Sequence, residues 1–224
     1  MAPELPGAAN LIATAAAAGV AVSIGHSAGT PDDVRMAAAA GATLSTHLGN
    51  GVPLTLPRHP NLIWQQLFDD RLVCMLIADS FHLDVGTLTA MTRAKGTGRW
   101  LLVSDVTSIG GLPPGRYQTP IGGLVELDAA GRLGVVGADY LAGAARSLLD
   151  GLAWLLSEGT IPAADVAAAV SSVPATLLAC RGKHRGEIAP GNRADLVRAR
   201  WKSGHRLAVI ETISQGRTVW RAGE

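Results

Sequence analysis

Four residues that can bind metals or carry protons follow four apolar runs of this sequence. His26 follows "VAVSIG", His47 follows "GATLST", His82 follows "RLVCMLIADSF", and Asp105 follows "RWLLVS". Neutral imidazoles on separate strands bind divalent metals, zinc most commonly, and the metal lowers the pKa of a bound water toward ~7. A carboxylate such as that of Asp105 can take the water proton and pass it to a leaving amine. This combination is typical of metal-assisted hydrolysis of a C–N bond.

Each of these residues also has a structural interpretation. A single histidine beside an apolar run is often a satisfied core residue, and a single aspartate is often a cap. The recurrence of such residues at four equivalent positions favours the functional interpretation.

Helical segments separate the four apolar runs. Gly7 to Ala18 is rich in helix formers, and Thr30, Pro31 and two acids begin a second helix that ends before Gly41. Residues 62–68 and 83–95 are predicted to be further helices. This alternation indicates a parallel sheet covered on both faces. Because the carboxyl ends of such strands face a common mouth, we expect His26 and His47 to converge.

The second half of the sequence changes in pattern. Alternating residues with a turn at Ala129–Gly131 predict a β-hairpin near residues 116–137. Two Ala- and Leu-rich runs, at 144–159 and 162–180, predict helices. The tail, with β-type runs separated by Gly, Asn and Ser, predicts strands outside the helical layer.

Composition excludes several classes of function. The chain has 224 residues, 17% charged residues and a formal net charge of +1, so it has no basic field for nucleic acid or a membrane surface. No targeting or membrane-spanning segment is evident, and a cytoplasmic location is expected. Cys74 and Cys180 lie far apart in apolar runs and are predicted to be buried thiols.

An ordered set of segments resembles the N-acetylglucosamine-6-phosphate deacetylase family of the amidohydrolase superfamily. In chain order these segments are "APE", "VSIGHSAGT", "ATLSTHLGNGVP", "PRHPNL", "MLIADSFHL", "LLVSDVTS", "YLAGAARSLLDG" and "GEIAPGNRADLV". The resemblance implies removal of acetate from an N-acetyl amino-sugar 6-phosphate. It also implies an α/β fold, a (β/α)8 (TIM) barrel with a small β-sandwich. Residues 1–180 would then be part of the barrel, and residues 181–224 would be strands of the sandwich.

The resemblance also implies roles for particular residues. His26 and His47 would bind a divalent metal, zinc foremost, with iron, manganese or cobalt as alternatives. Asp105 would be the catalytic acid and base. His82 would orient the substrate, and Asn50 and Gly51 would lie in a loop that meets the sugar phosphate. Arg58 would reach the phosphate bound by a neighbouring subunit. Leu141, Ala142 and Gly143 would form a substrate-binding loop that closes over the substrate. The expected assembly is a homodimer.

The sequence also departs from the family pattern. The family has a glutamate metal ligand in a His-Leu-Glu-Gly-Pro-like motif, which is expected to lie before the first residue of this chain, together with the first barrel strands. Met1 would then be an internal methionine. Gly51 stands where alanine is usual, and Glu4 aligns with a different family residue from the missing ligand.

Two functional interpretations therefore remain. One is an active metal-dependent deacetylase. The other is a truncated barrel that self-associates, lacks catalytic competence and binds metal or sugar phosphate weakly or not at all. The missing glutamate favours this second interpretation. It predicts weak activity and a metal site that can be empty. Arg58 can equally be an ordinary solvated side chain, and Asn50-Gly51 can equally be only a turn pair.

Overall fold

The structure is a computed structural model. It describes residues 1–120, 122–178, 184–201 and 207–223. The chain divides into two compact units, each of which is described by itself. The first unit comprises Met1–Leu76 and Gly86–Val103, and the second comprises Ile77–Val85 and Ser104–Glu224.

Helices and strands alternate through the first half of the chain. The helices are α1 (Ala8–Ala17), α2 (Pro31–Ala39), α3 (Leu62–Phe68), α4 (Val85–Lys95), α5 (Leu148–Glu158), α6 (Ala163–Ala169) and α7 (Ser172–Leu177). The strands are β1 (Val22–Ile24), β2 (Ala42–Ser45), β3 (Val73–Ile77), β4 (Trp100–Val103), β5 (Gly115–Thr119), β6 (Gly123–Leu127), β7 (Leu133–Val135), β8 (Leu196–Arg200), β9 (Ala208–Ser214) and β10 (Arg217–Arg221).

Strands β1 to β4 form one sheet in chain order. The β1–β2 and β2–β3 pairs are parallel, with Ser23 opposite Leu44 and Leu44 opposite Val73. The expectation of parallel strands joined by helices is confirmed for these pairs. Apolar side chains from both kinds of element form the core of the first unit: Ile12, Val22, Ile24, Val34, Ala37, Ala38, Ala42, Leu62 and Leu72.

Helix α2 begins as its sequence predicts. The Thr30 hydroxyl accepts a hydrogen bond from the Asp33 amide, and the Asp33 carboxylate accepts one from the Thr30 amide, which completes a capping box. The hydrogen bonds that the Thr30 amide and hydroxyl donate to the Asp33 carboxylate hold the pKa of Asp33 below its usual value. The cap fixes the point at which the chain turns from β1 into α2.

A buried lysine joins α4 to the end of α3. Lys95 is 1% exposed, and its ammonium donates to the carbonyl oxygens of Gln66 at 2.9 Å and Asp69 at 2.6 Å. Carbonyls at a helix C-terminus lack partners within the helix, so this ammonium satisfies them. Burial lowers the pKa of Lys95 from its usual value.

The second unit contains two antiparallel sheets, β5–β6–β7 and β8–β9–β10. The hairpin predicted to turn at residues 129–131 is confirmed: β6 and β7 are joined by a loop in which Asp128 accepts from the amides of Ala130 and Arg132. In the other sheet, Glu211 on the central strand lies opposite Arg198 and Arg221 and forms ion pairs with both. The hydrogen bond from Arg221 is the main reason that the pKa of Glu211 is lowered.

The continuous helix predicted over 162–180 is wrong, because the chain forms α6 and then α7. Pro174 explains the break. In a continuous helix it would lack the amide that bonds the Val170 carbonyl, and its ring would clash there. In the structure α6 ends at Ala169 with Val170 as its C-cap, and Pro174 lies in the first turn of α7.

Cys74 is buried and free, as predicted, and burial raises the pKa of its thiol. Cys180 lies outside the described residues. Among the helices of the described ranges, none is both long and apolar enough to cross a bilayer.

Replacing Lys95 with methionine tests the buried ammonium. We expect Lys95→Met to lower the free energy of unfolding by about 1–3 kcal/mol, because the carbonyls at the end of α3 lose their donor while remaining buried. Urea denaturation followed by circular dichroism measures this change. Arg93→Met, at an exposed position of the same helix, is the control and should change stability by about 0.5 kcal/mol or less. Equal stability of both variants would contradict a stabilising role for the ammonium.

Candidate active site

His26 and His47 occupy equivalent positions beyond β1 and β2, each two residues after its strand ends. Their Nε2 atoms lie 3.0 Å apart, and the rings meet edge to face with centroids 4.7 Å apart. The structure therefore brings together the two histidines that the sequence predicts to converge.

Both histidines adopt the left-handed backbone conformation, with φ of 50° at His26 and 27° at His47. This conformation is unfavourable for a residue with a Cβ, and such residues cluster at functional sites. Here it lets the backbone turn away while the two rings meet.

The two rings differ in their surroundings. His47 is 6% exposed, and its Nδ1 is buried with no partner among the described residues, whereas His26 is exposed. The pair thus has one side in the protein and one side open to solvent.

The turn after His26 is fixed by a carboxylate that sequence analysis left without a role. Glu4 accepts hydrogen bonds from the Ser27 hydroxyl and the Ala28 amide, both at 2.7 Å. The Ser27 oxygen in turn accepts from the Gly29 amide at 3.0 Å. Glu4 lies 23 residues before Ser27, so no local spacing in the sequence indicates the contact.

Asn50 and Gly51 form a turn and also approach the histidine pair. The Asn50 amide donates to the His47 carbonyl at 2.9 Å, and its side-chain NH2 donates there at 3.2 Å. Gly51 has φ of 62°, and a Cβ at this position would lie 2.9 Å from His26 Nδ1. The glycine therefore permits a close approach to the ring as well as the turn. Arg58 is exposed, which is compatible with either interpretation of it.

The two histidines fit a divalent metal. Two nitrogens that ligate one zinc each lie about 2.0–2.1 Å from it and are therefore at most roughly 4 Å apart. The Nε2 separation of 3.0 Å meets this condition. Among the described residues, no cluster of three or more His, Cys, Asp or Glu side chains is arranged to hold a metal. The pair alone is thus the metal-binding candidate that these residues offer.

His82, in the second unit, pairs with Asp79. Its Nδ1 lies 2.7 Å from Asp79 Oδ2, and the two side chains are 6% and 5% exposed. Burial alone would raise the pKa of Asp79, but hydrogen bonds from the His82 ring and from the amides of His82 and Phe81 outweigh it and lower the pKa. The Asp79 carboxylate therefore stays ionised. The sequence pattern indicates His82 but not its partner.

Asp105 lies beside the segment Leu141–Gly143 in the same unit. Asp105 is exposed, with φ of 52°. Its carbonyl accepts from the Ala144 amide at 3.0 Å, and the Thr107 amide donates to the Ala144 carbonyl at 2.9 Å. A Cβ at Gly143 would lie 3.7 Å from Asp105 Oδ2. The backbone thus joins the candidate acid and base to the candidate substrate loop.

Comparison with known proteins gives a consistent answer. No protein-family model matches the chain. The chain is 33% identical to an N-acetylglucosamine-6-phosphate deacetylase of Lysinibacillus sphaericus over 132 residues, which are 58% of this chain and 34% of that protein. It is 31% identical to an N-acetylgalactosamine-6-phosphate deacetylase of Escherichia coli O157:H7, covering 88% of this chain and 51% of that protein.

A solved structure agrees in fold and sequence. It is that of a mutant N-acetyl-D-glucosamine-6-phosphate deacetylase from Mycobacterium smegmatis in complex with N-acetyl-D-glucosamine-6-phosphate. The match has a TM-score of 0.83 and 28% identity, and it covers 98% of this chain and 56% of that one. The chain is thus similar to N-acetylglucosamine-6-phosphate deacetylases over nearly its whole length.

This structural likeness confirms the predicted fold class, an α/β barrel of the amidohydrolase kind. The chain spans about half the length, or less, of these deacetylases: 34%, 51% and 56% in the three comparisons.

A substitution at Gly143 tests the packing beside Asp105. At φ of 85°, alanine costs about 1–2 kcal/mol in any surroundings, and its Cβ would also lie 2.7 Å from Thr107 Cγ2. Gly111 has the same φ with no atom within 4 Å of an added Cβ. We therefore expect Gly143→Ala to lower the free energy of unfolding by about 1–3 kcal/mol more than Gly111→Ala, measured by urea denaturation. If both variants lose the same free energy of unfolding, the loop accommodates a Cβ at Gly143 without a packing cost.

Proposed function

We propose that the chain is a metal-dependent amidohydrolase that removes acetate from an N-acetyl amino-sugar 6-phosphate. The observation that carries the proposal is the pair of imidazole Nε2 atoms 3.0 Å apart at the ends of adjacent parallel strands. Relatives named as deacetylases of N-acetylglucosamine and N-acetylgalactosamine 6-phosphates support the substrate class. The proposal covers both sugars.

His26 and His47 are proposed to hold the metal, zinc foremost, with iron, manganese or cobalt as alternatives. A bound divalent ion would supply an acidified water in this site. Asp105 is proposed to accept and return a proton at its carboxylate. Its side chain is exposed, and its backbone carbonyl accepts a hydrogen bond from the Ala144 amide.

The remaining assignments concern the substrate. His82 is proposed to orient it, and Asn50 and Gly51 to meet its phosphate through a turn already held by the His47 carbonyl. Arg58 is proposed to reach the phosphate bound by a second copy of the chain, and Leu141–Gly143 to close over the sugar. The exposure of Arg58 supports a contact made outside its own subunit.

A second candidate function is a binding protein without turnover. Across the described ranges, the histidine pair has no third ligand of the usual types to complete a metal site. Zinc sites ordinarily have three or four protein ligands, so two histidines alone predict weak metal binding. Such a protein would bind metal or sugar phosphate weakly and release no acetate.

Metal binding tests the first assignment. Zinc added to the purified chain and followed by isothermal titration calorimetry should bind weakly at one site. His47→Gln should weaken this binding by more than about tenfold, since loss of even an outer partner of a metal ligand costs about 10–100-fold. His59→Gln, in an exposed loop, is the control and should bind as the unchanged chain does. Equal binding by all three proteins would place the metal elsewhere.

Acetate release tests catalysis. The zinc-loaded chain should deacetylate N-acetylglucosamine 6-phosphate or N-acetylgalactosamine 6-phosphate slowly, because the metal is weakly held. Asp105→Asn should lower the rate by about 10²–10⁴-fold, as loss of a general acid and base does. Asp139→Asn, at another exposed position of the same unit, should retain the rate. A folded, metal-bound chain that releases no acetate would favour the second candidate.

Self-association tests the predicted homodimer. The mean hydropathy of +0.25 favours burial of surface between two copies, and the net charge of +1 gives little electrostatic repulsion between them. Leu54 and Phe68 are 98% and 81% exposed in the same unit as Arg58, and we propose that they form part of the contact. Light scattering should give a dimer for the chain and a monomer for Phe68→Ser, whereas Ile188→Ser, which alters an exposed residue of the other unit, should remain dimeric. A monomeric unchanged chain would contradict the proposal.

A further inference from the structure

The loop after β3 is organised around the Asp79 carboxylate. Oδ1 accepts from the backbone amides of Phe81 and His82, both at 2.9 Å, and Oδ2 lies 2.7 Å from His82 Nδ1. The side chains of both members of the pair are almost wholly buried. The orientation of the imidazole is therefore set by a carboxylate whose own position is set by two amides.

This arrangement determines which ring nitrogen carries the proton. An ionised carboxylate offers only acceptors, so the atom that meets Oδ2 must be a donor, and His82 Nδ1 is protonated. In a neutral imidazole the other nitrogen, Nε2, then has a free lone pair. Free histidine favours the opposite tautomer, so the Asp79 contact selects the less common form.

The loop has a second support that does not depend on the charge of Asp79. The guanidinium of Arg146 donates to the Asp79 carbonyl and the Ser80 hydroxyl, both at 3.1 Å, and to the Ala130 carbonyl at 2.9 Å. It also lies over the Phe81 ring, 4.6 Å from the centroid. The loop is thereby tied to the β6–β7 hairpin through backbone and ring contacts, so an uncharged isostere of Asp79 should leave its path intact.

We propose that Asp79 is a positioning residue that holds His82 in the Nδ1–H tautomer and so presents Nε2 to the ligand as a hydrogen-bond acceptor. The group it would receive is an O–H or N–H of the sugar. The ligand class rests on the proposed function, whereas the tautomer rests only on the Asp79 contacts. Nδ1 is the ring nitrogen that meets Asp79, so Nε2 is the nitrogen left to meet a ligand.

Nuclear magnetic resonance of the full chain labelled with 15N-histidine tests the tautomer directly. Long-range 1H–15N spectra distinguish the two neutral tautomers from each other, and both from the doubly protonated ring, by their nitrogen shifts. His82→Gln identifies the His82 signals by their loss. We expect Nδ1–H in the unchanged chain; Nε2–H there would overturn the proposal.

Asp79→Asn should invert the tautomer. The carboxamide oxygen can keep both amide bonds, which places its NH2 at the Oδ2 position, where it donates to Nδ1 and forces the proton to Nε2. A merely structural role would not produce this inversion. Asp150→Asn is the matched control, since Asp150 caps α5 in the same unit through its hydrogen bonds with Ser147. This variant should leave His82 as Nδ1–H. If folded Asp79→Asn keeps the Nδ1–H tautomer, the proposal is overturned. If that variant does not fold, the tautomer measured in the chain without substitutions tests the proposal.

Ligand addition separates this inference from the proposed function. Saturating N-acetylglucosamine 6-phosphate should shift the His82 Nε2 resonance while Nδ1 keeps its proton. An Nδ1–H tautomer with no shift on adding either sugar phosphate would leave Asp79 as the positioning group and reject His82 as a residue that binds amino-sugar phosphate. A shift at Nε2 with Nδ1 unprotonated would support sugar binding and reject the role of Asp79.

Discussion

Each strand of the sheet β1–β4 is followed, within three residues, by a non-glycine residue with positive φ. These residues are His26, His47, Ser80 and Asp105. Each such conformation costs about 1–2 kcal/mol in a residue with a Cβ, so the surrounding contacts must offset it. Three of the four residues are those that the sequence identifies as chemically capable. The strand ends are therefore the places where the chain accepts backbone strain and where its reactive side chains are displayed.

Hydrogen bonds between charged side chains and the backbone hold these strand ends and the helices beside them. Glu4 fixes the turn after His26, and Asp79 fixes the loop that carries His82. Lys95 does the same for the carbonyls at the end of α3. All three charges are held by backbone groups, so their effect is on the path of the chain.

The sequence predicts the elements of the fold better than it predicts these contacts. The α2 cap is readable because Thr30 and Asp33 are three residues apart, and the strands are readable because their apolar runs are continuous. The end of α6 is not predicted, because the alanine-rich run outweighs the single proline, Pro174, in the sequence pattern. Convergence of His26 and His47 follows from parallel topology. The contact between Glu4 and Ser27 does not follow from topology, since the two residues are 23 positions apart and meet only through the folded path of the backbone. The contact of Gly51 with His26 is not predictable for the same reason, because the Asn-Gly pair indicates a turn but not which residues pack against that turn.

Lys95 has a consequence for chemical labelling. The chain contains three lysines, Lys95, Lys183 and Lys202, and an amine reagent reaches only a deprotonated amine that is open to solvent. The Lys95 ammonium is enclosed and bonded to carbonyls at the end of α3, so its acylation requires α3 and α4 to separate at that point. The rate at which Lys95 is modified is thus a measure of how often this part of the first unit opens while the rest of the chain remains folded.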